Sequence, residues 1–232
     1  MNAKSAIVIF ILLSLLTACN LTSPGPASSL STLPATPIPS LPFPTTHPTT
    51  APPAVNVQSP TPAVSIPQQA VIDRAFGVIT ALKDKDLVAL STFVHPVSGV
   101  RFSPYAFTSD ANLVFTAQQV IGLFSDSTVY TWGQFSGSGT SIDLTFAEYY
   151  SQFIFDLDFA SLTQLSLNHR LGVSTSMDNS QEYYPNSMVV EFYYPGSDPQ
   201  AQSLDWRSLR LVFTESGGTW YLAGIIHDQW TT

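Results

Sequence analysis

The chain has 232 residues, 44% of them hydrophobic and only 10% charged, with a formal net charge of −8. All sixteen acidic residues, and every basic residue except Lys4, lie after Pro67, so that part carries seven basic against sixteen acidic side chains, a net charge of −9. So acidic a region, with few and scattered Lys and Arg, speaks against a nucleic-acid partner, whose phosphates need clustered basic groups. Its roughly 165 residues suffice for one ordinary core.

Met1–Lys4 is a short leader with one positive charge, and Ala6–Leu16 (AIVIFILLSLL) is an apolar run of signal-peptide length, too short to span a bilayer comfortably. The run ends on Leu16-Thr17-Ala18-Cys19. This resembles the bacterial lipobox: an aliphatic residue, two small residues, then the Cys whose thiol accepts diacylglycerol. The resemblance implies a signal peptide over residues 1–18, a lipid anchor on Cys19, and a domain held on the extracytoplasmic face of the cell membrane. Two or three acyl chains anchor stably where one is marginal. Cys19 is the sole cysteine of the chain. Cys catalysis, disulfide bonds and Cys-based metal sites are therefore not expected in the folded part.

Asn20–Pro67 contains no Asp, Glu, Lys or Arg and is dominated by Pro, Ser and Thr. Proline blocks helix and ladder hydrogen bonds, so residues 19–67 read as a lipidated Cys followed by a disordered linker of polyproline II character. Fully extended at about 3.1 Å per residue, it would reach on the order of 150 Å. The folded domain is then expected over residues 68–232.

In chain order, Gln68 to about Lys83 has apolar Val71, Ala75, Phe76, Ile79 and Leu82 at helical spacing. Asp86 is placed to cap a short helix over Leu87–Phe93, which His95-Pro96 ends. Val100–Phe107 reads as extended. Thr116-Ala-Gln-Gln119 and Thr145-Phe-Ala-Glu148 are capping boxes that open helices to about Phe124 and Phe155, with a strand over Thr128–Phe135 between them. Met188–Tyr194, Leu209–Glu215 and Thr219–Trp230 are rich in β-branched and aromatic residues, and Ser216-Gly217-Gly218 marks a hairpin. In the last strand, simple alternation puts Trp220, Leu222, Gly224 and Ile226 on one face and Tyr221, Ala223, Ile225 and His227 on the other. Both faces are largely apolar, which predicts a central strand covered on both sides or lining a cavity.

Helices first, a long antiparallel sheet last, and an ending on Trp220-Tyr-Leu-Ala-Gly-Ile-Ile-His-Asp228 are similar to the NTF2-like (SnoaL-like) superfamily. The resemblance covers most of residues 68–232. It implies an α+β fold in which N-terminal helices pack on a curved, mainly antiparallel sheet to form a cone. Members include enzymes, transport factors and structural modules, so the fold alone does not name an activity.

The weak catalytic candidates are His227, Asp228, His95 and Glu148. His227 and Asp228 are adjacent in a strand and must point to opposite faces, so they cannot form a simple dyad. Weak ligand-binding candidates are Arg101, whose guanidinium fork suits a carboxylate of a ligand or of the protein itself, together with Tyr105 and Trp206. Asp205-Trp206-Arg207 also reads as a clamp ahead of a strand, with Trp206 in the core. The four histidines lack HxH or HxxxH spacing, so no metal is expected, and no motif implies a cofactor. Three functions compete. The first is a non-catalytic module that binds a small ligand or another envelope protein. The second is a cone-cavity acid–base enzyme using His227 or His95 with Glu148 or Asp228. The third is a glycan-binding module with an exposed row of Tyr or Trp.

Overall fold

A computed structural model describes residues 64–231, apart from residues 163, 174, 199 and 201–203. Cys19, the expected signal peptide and nearly all of the expected linker lie outside the described residues.

Helix α1 (Ile66–Lys83) begins two residues ahead of the expected start. Its N-terminus is set by Ser65, whose backbone N–H donates to Gln68 Oε1 at 2.9 Å, and by Pro67, which is tolerated in a first turn because no carbonyl there awaits its missing N–H. The helix buries Val71, Ala75, Val78, Ile79 and Leu82. Val78, not Phe76, completes the apolar stripe, and Phe76 is 47% exposed at its edge. Asp86 accepts from the Ala89 N–H at 2.8 Å and caps α2 (Leu87–Ser91). Strand β1 (Val100–Ser103) stops four residues short of the expected extended segment, at Pro104. A short β2 (Val114–Phe115) follows.

Both capping boxes form, on α3 (Ala117–Gly122, continued by a 3₁₀ turn over Leu123–Ser125) and α4 (Phe146–Phe153). Between them β3 (Tyr130–Gln134) pairs with β4 (Ser141–Leu144) as a separate two-stranded ribbon. The C-terminal part supplies β5 (Gln164–Leu167), a single helical turn α5 (Ser180–Tyr183), β6 (Met188–Tyr194), β7 (Arg207–Ser216) and β8 (Thr219–Gln229). The main sheet has the order β2-β1-β8-β7-β6-β5, antiparallel throughout except where β1 runs parallel to β8. The fold is therefore α+β, with helices on a mainly antiparallel, curved sheet, and β8 is an inner strand as expected.

Strands β7 and β8 turn through Gly217 and Gly218, both at positive φ (60° and 80°), the conformation a two-residue type I′ turn demands. Farther along, Val212 pairs with Gly224 but Phe213 pairs with Leu222, so Ala223 is an extra residue in β8. This bulge reverses the alternation of faces. Leu222 shares the inner core with Ile225, Leu211 and Phe213, whereas Ile226 joins Val189 and Val212 on the outer face. The uninterrupted alternation expected for this strand is thus corrected at one residue.

Candidate functional site

The inner face of the sheet is filled with side chains. Trp132 is fully buried, stacks on Tyr149 at 3.8 Å between ring centroids, and donates its indole N–H to the Leu144 carbonyl at 2.9 Å. Phe102, Phe115 and Phe146 ring it edge-on or tilted, and Phe153, Phe159 and Phe192 extend the same apolar core. Burial holds the Tyr149 phenol well above its ordinary pKa, so it stays protonated.

His227 faces this interior with no exposed surface and meets the edge of Phe153. Its Nε2 lies 3.2 Å from Asp156 Oδ2, and the same oxygen accepts from Arg207 Nε at 3.1 Å. Its partner is therefore neither Glu148 nor Asp228. Glu148 is exposed and spent on capping α4: it accepts from the Thr145 hydroxyl at 2.7 Å and the Thr145 N–H at 2.8 Å, bonds that hold its pKa below the usual value. His95 closes a turn, its Nδ1 accepting from the Val97 and Ser98 N–H groups at 3.2 and 3.0 Å, and its ring meets Tyr221. His227, Glu148 and His95 thus have separate partners in three places, and Asp228 occupies a fourth.

Asp228 points to the outer face, as strand alternation requires. It is 1% exposed, with Arg170 Nη2 2.7 Å and Arg210 Nη2 3.6 Å from its Oδ2. Arg210, also 1% exposed, pairs with Asp178 as well. Beside them the buried Glu191 carboxylate accepts from the Leu171 and Gly172 N–H groups at 2.6 and 3.2 Å. Burial lifts the Asp228 carboxyl above its ordinary value by more than Arg210 and Arg170 pull it down. At Asp178 burial also raises the pKa, but Arg210, the bonds from Ser180 and the field of Arg170 outweigh it and the net shift is downward. This ionic layer fastens residues 170–172 and 178 onto the sheet. Buried networks of this kind contribute specificity of packing more than stability.

Trp206 is buried against Tyr193, as its core reading expects. The clamp around it is not a local Asp205–Arg207 pair, however. Arg207 reaches Asp156, while Asp205 accepts from the Ser197 and Asp198 N–H groups at 2.9 and 3.1 Å. Trp132 and Trp206 are buried and Trp230 is half-buried, which counts against a flat exposed row of Trp.

A groove of about 500 Å³ lies over Tyr105. Its walls are Pro104, Tyr105, Phe107, Ser109, Ala111 and Asn112 on one side and Thr131, Gly133 and Gln134 of β3 on the other. The first wall is a loop with no regular secondary structure, and Arg101 explains why it holds its shape. From β1 the guanidinium Nη1 donates to the Asn112, Ser109 and Asp110 carbonyls at 2.6, 3.1 and 3.4 Å. Its partner is backbone, and not the carboxylate expected of it. Asn179 adds a two-point clamp, its Oδ1 accepting from the Thr108 N–H and its Nδ2 donating to the Thr108 carbonyl, both at 2.8 Å. Asn112 Oδ1 accepts from the Ser109 N–H at 2.7 Å, and the Tyr183 hydroxyl donates to Asp110. The second wall is shaped by a register shift in β3 between Thr131 and Gln134, where Gly133 takes φ +142° beside Pro104. Bulges commonly re-aim side chains next to sites. Tyr105, a sequence candidate, lines the groove directly; Arg101 acts one step behind it. Phe107, Asn112 and Gln134 were not foreseen.

Among the described residues no group of three or more His, Cys, Asp or Glu side chains is arranged to hold a metal ion, and no helix is long and apolar enough to cross a membrane.

No family model matches the chain, and no curated protein matches it. Solved structures similar to it include a putative calcium/calmodulin-dependent protein kinase II association domain from Xanthomonas campestris, at 11% identity over 69% of this chain and 84% of that one, with a TM-score of 0.28. Another is an NTF2-like protein with a cystatin-like fold from Novosphingobium aromaticivorans, at 9% identity over 69% of this chain and 79% of that one, with a TM-score of 0.31. Likeness of this degree says nothing of what the present chain binds or does.

Proposed function

We propose that the chain is a lipid-anchored, extracytoplasmic binding module of the NTF2-like kind, without catalytic activity, and that its ligand site is the groove over Tyr105. One observation carries this reading. The groove is of a size usual for small-ligand sites, and no His, Asp, Glu, Lys or Arg lines it. Binding needs shape, apolar surface and a few polar groups. Acid–base catalysis needs in addition a group that gives and takes a proton near the working pH, within hydrogen-bond reach of the substrate. The groove meets the first requirement and not the second.

The lipobox residues Leu16-Thr17-Ala18-Cys19 support the anchor, and the charge-free segment to about Ala63 would act as a spacer between bilayer and domain. A small ligand or an exposed part of another envelope protein would reach the groove from solvent.

Two measurements test the proposal. Mass spectrometry of the membrane-extracted chain should give an N-terminus at Cys19 carrying diacylglycerol, and Cys19→Ser should release the protein from the membrane fraction. A chain that still begins at Met1, or bears a bare thiol, overturns the anchor. Wild type, His95→Ala and His227→Ala should show the same background on ester, glycoside and keto-steroid isomerisation substrates; a turnover abolished by either substitution overturns the non-catalytic reading.

A further inference from the structure

We infer that the groove over Tyr105 takes a neutral saccharide; this rests on the groove being the ligand site. A sugar ring offers two kinds of surface, an apolar face of C–H bonds and a rim of hydroxyls. A site for it needs an aromatic plane, side-chain amides and hydroxyls that both donate and accept, and no charge to desolvate.

The lining has this composition. Tyr105 and Phe107 supply aromatic surface, and Phe107 is 53% exposed, so its ring is open to a ligand. Asn112, Gln134, Ser109 and Thr131 supply amides and hydroxyls. The Thr131 hydroxyl donates to Asp143 at 2.6 Å, whereas Asn112 is committed to the protein on one side only. Asn112 spends its Oδ1 on the Ser109 N–H and the Ser103 hydroxyl, which fixes the amide plane, while its Nδ2 and the side chains of Gln134 and Tyr105 make no hydrogen bond among the described residues. The Asn112 Nδ2 is therefore oriented and uncommitted, and the polar groups of Gln134 and Tyr105 are uncommitted.

Charge narrows the class. No Asp, Glu, Lys, Arg or His lines the groove, and the part of the chain after Pro67 carries net −9. An anionic ligand such as a phosphate or uronate meets no cation there and a repulsive domain around it. A cationic ligand finds no carboxylate in the lining. An extended peptide is the nearest rival. It would be held by added strand pairing along β3, but the register shift between Thr131 and Gln134 breaks the regular spacing of edge donors on the strand that forms the second wall. The rigid loop adds to this, because a wall pinned by Arg101 and Asn179 loses little entropy when a ligand seats.

The test is NMR titration of the full chain with three probes: neutral hexasaccharides of glucose and of N-acetylglucosamine, a hexagalacturonate, and a synthetic peptide of residues 20–63. The readouts are the side-chain amide signals of Asn112 and Gln134 and the backbone amide of Gly133. Saturable shifts are expected at these signals with at least one neutral hexasaccharide, and none with hexagalacturonate. Phe107→Ala should weaken that binding at least tenfold while leaving the thermal midpoint unchanged, since the ring is already exposed. Shifts at the same signals from the peptide alone would overturn the saccharide class and leave the groove as a binding site. Equal binding of the galacturonate would overturn the argument from neutrality. Silence at all three signals with every probe would overturn the saccharide inference.

Discussion

Replacing Arg101 with Met keeps an unbranched stem of similar length and removes the guanidinium that holds the groove's first wall. Two of its bonds are well formed, 2.6 Å to the Asn112 carbonyl and 3.1 Å to the Ser109 carbonyl; the third, 3.4 Å to Asp110, is too long to add much. A hydrogen bond from a charged donor contributes about 1.5–3 kcal/mol. These acceptors lie in a half-buried loop that water can reach once the cation is gone, so the lower end applies, about 3 kcal/mol for the two together. At about 1.36 kcal/mol per decade this is roughly a hundredfold increase in opening of the loop. Amide exchange by NMR reads it directly, because the Thr108, Ser109 and Asn112 N–H groups are each hydrogen-bonded within this structure. All three should exchange about a hundredfold faster in Arg101→Met. Exchange within a factor of about three of wild type would refute the assignment of Arg101 as the pin of the groove.

Two further predictions concern the outer ionic layer. Arg210→Met leaves Asp228 buried beside Arg170 alone and Asp178 without its closest cation; breaking a buried pair costs about 3–5 kcal/mol, less here because Asp178 is partly exposed, and about 3 kcal/mol lowers the calorimetric midpoint by roughly 6–12 °C for a domain of this size. A fall under about 2 °C would contradict the reading of this layer as a coupled network. The pH dependences of Asp228→Asn and Asp178→Asn should differ in sign. The folded pKa of Asp228 is raised, so between that value and the ordinary 3.8 the folded state binds the extra proton and gains stability as pH falls; Asp228→Asn loses this gain and should weaken relative to wild type on acidification. The folded pKa of Asp178 is lowered, so its contribution is present above 3.8 and lost as pH falls through the folded value; Asp178→Asn should be the less acid-sensitive protein. Parallel urea midpoints for the two variants from pH 7 to 3 would contradict both.

The elements that were legible in the sequence are those whose signal is local. Thr116–Gln119 and Thr145–Glu148 carry both halves of a capping box within four residues, and both open helices. Gly217-Gly218 can hardly be anything but a tight turn between two β-rich runs. The short strands β4 and β5, four residues each, have too few positions for a period to show. The bulge at Ala223 is invisible because its cause is the register of β7, and one unseen extra residue moved Leu222 to the other face. The same holds for the site. Asp156 lies 71 positions from His227 in sequence, and three backbone carbonyls bind Arg101, where the chemistry of a guanidinium suggested a carboxylate. Adjacent strand residues do diverge, so His227 and Asp228 were correctly separated from sequence alone. The groove needed the fold, since its two walls come from residues 104–112 and 131–134, neither of which carries a motif.

Whether ligands seat in the neutral groove or in the filled cone is decided most directly by a crystallographic fragment screen, since small polar and aromatic fragments report every surface that can hold them. Density should cluster between Tyr105, Phe107 and Gln134, with nothing displaced beneath the sheet. Fragments lodged beside His227 and Asp156, with the Trp132–Tyr149 stack opened to admit them, would contradict the placement in the groove.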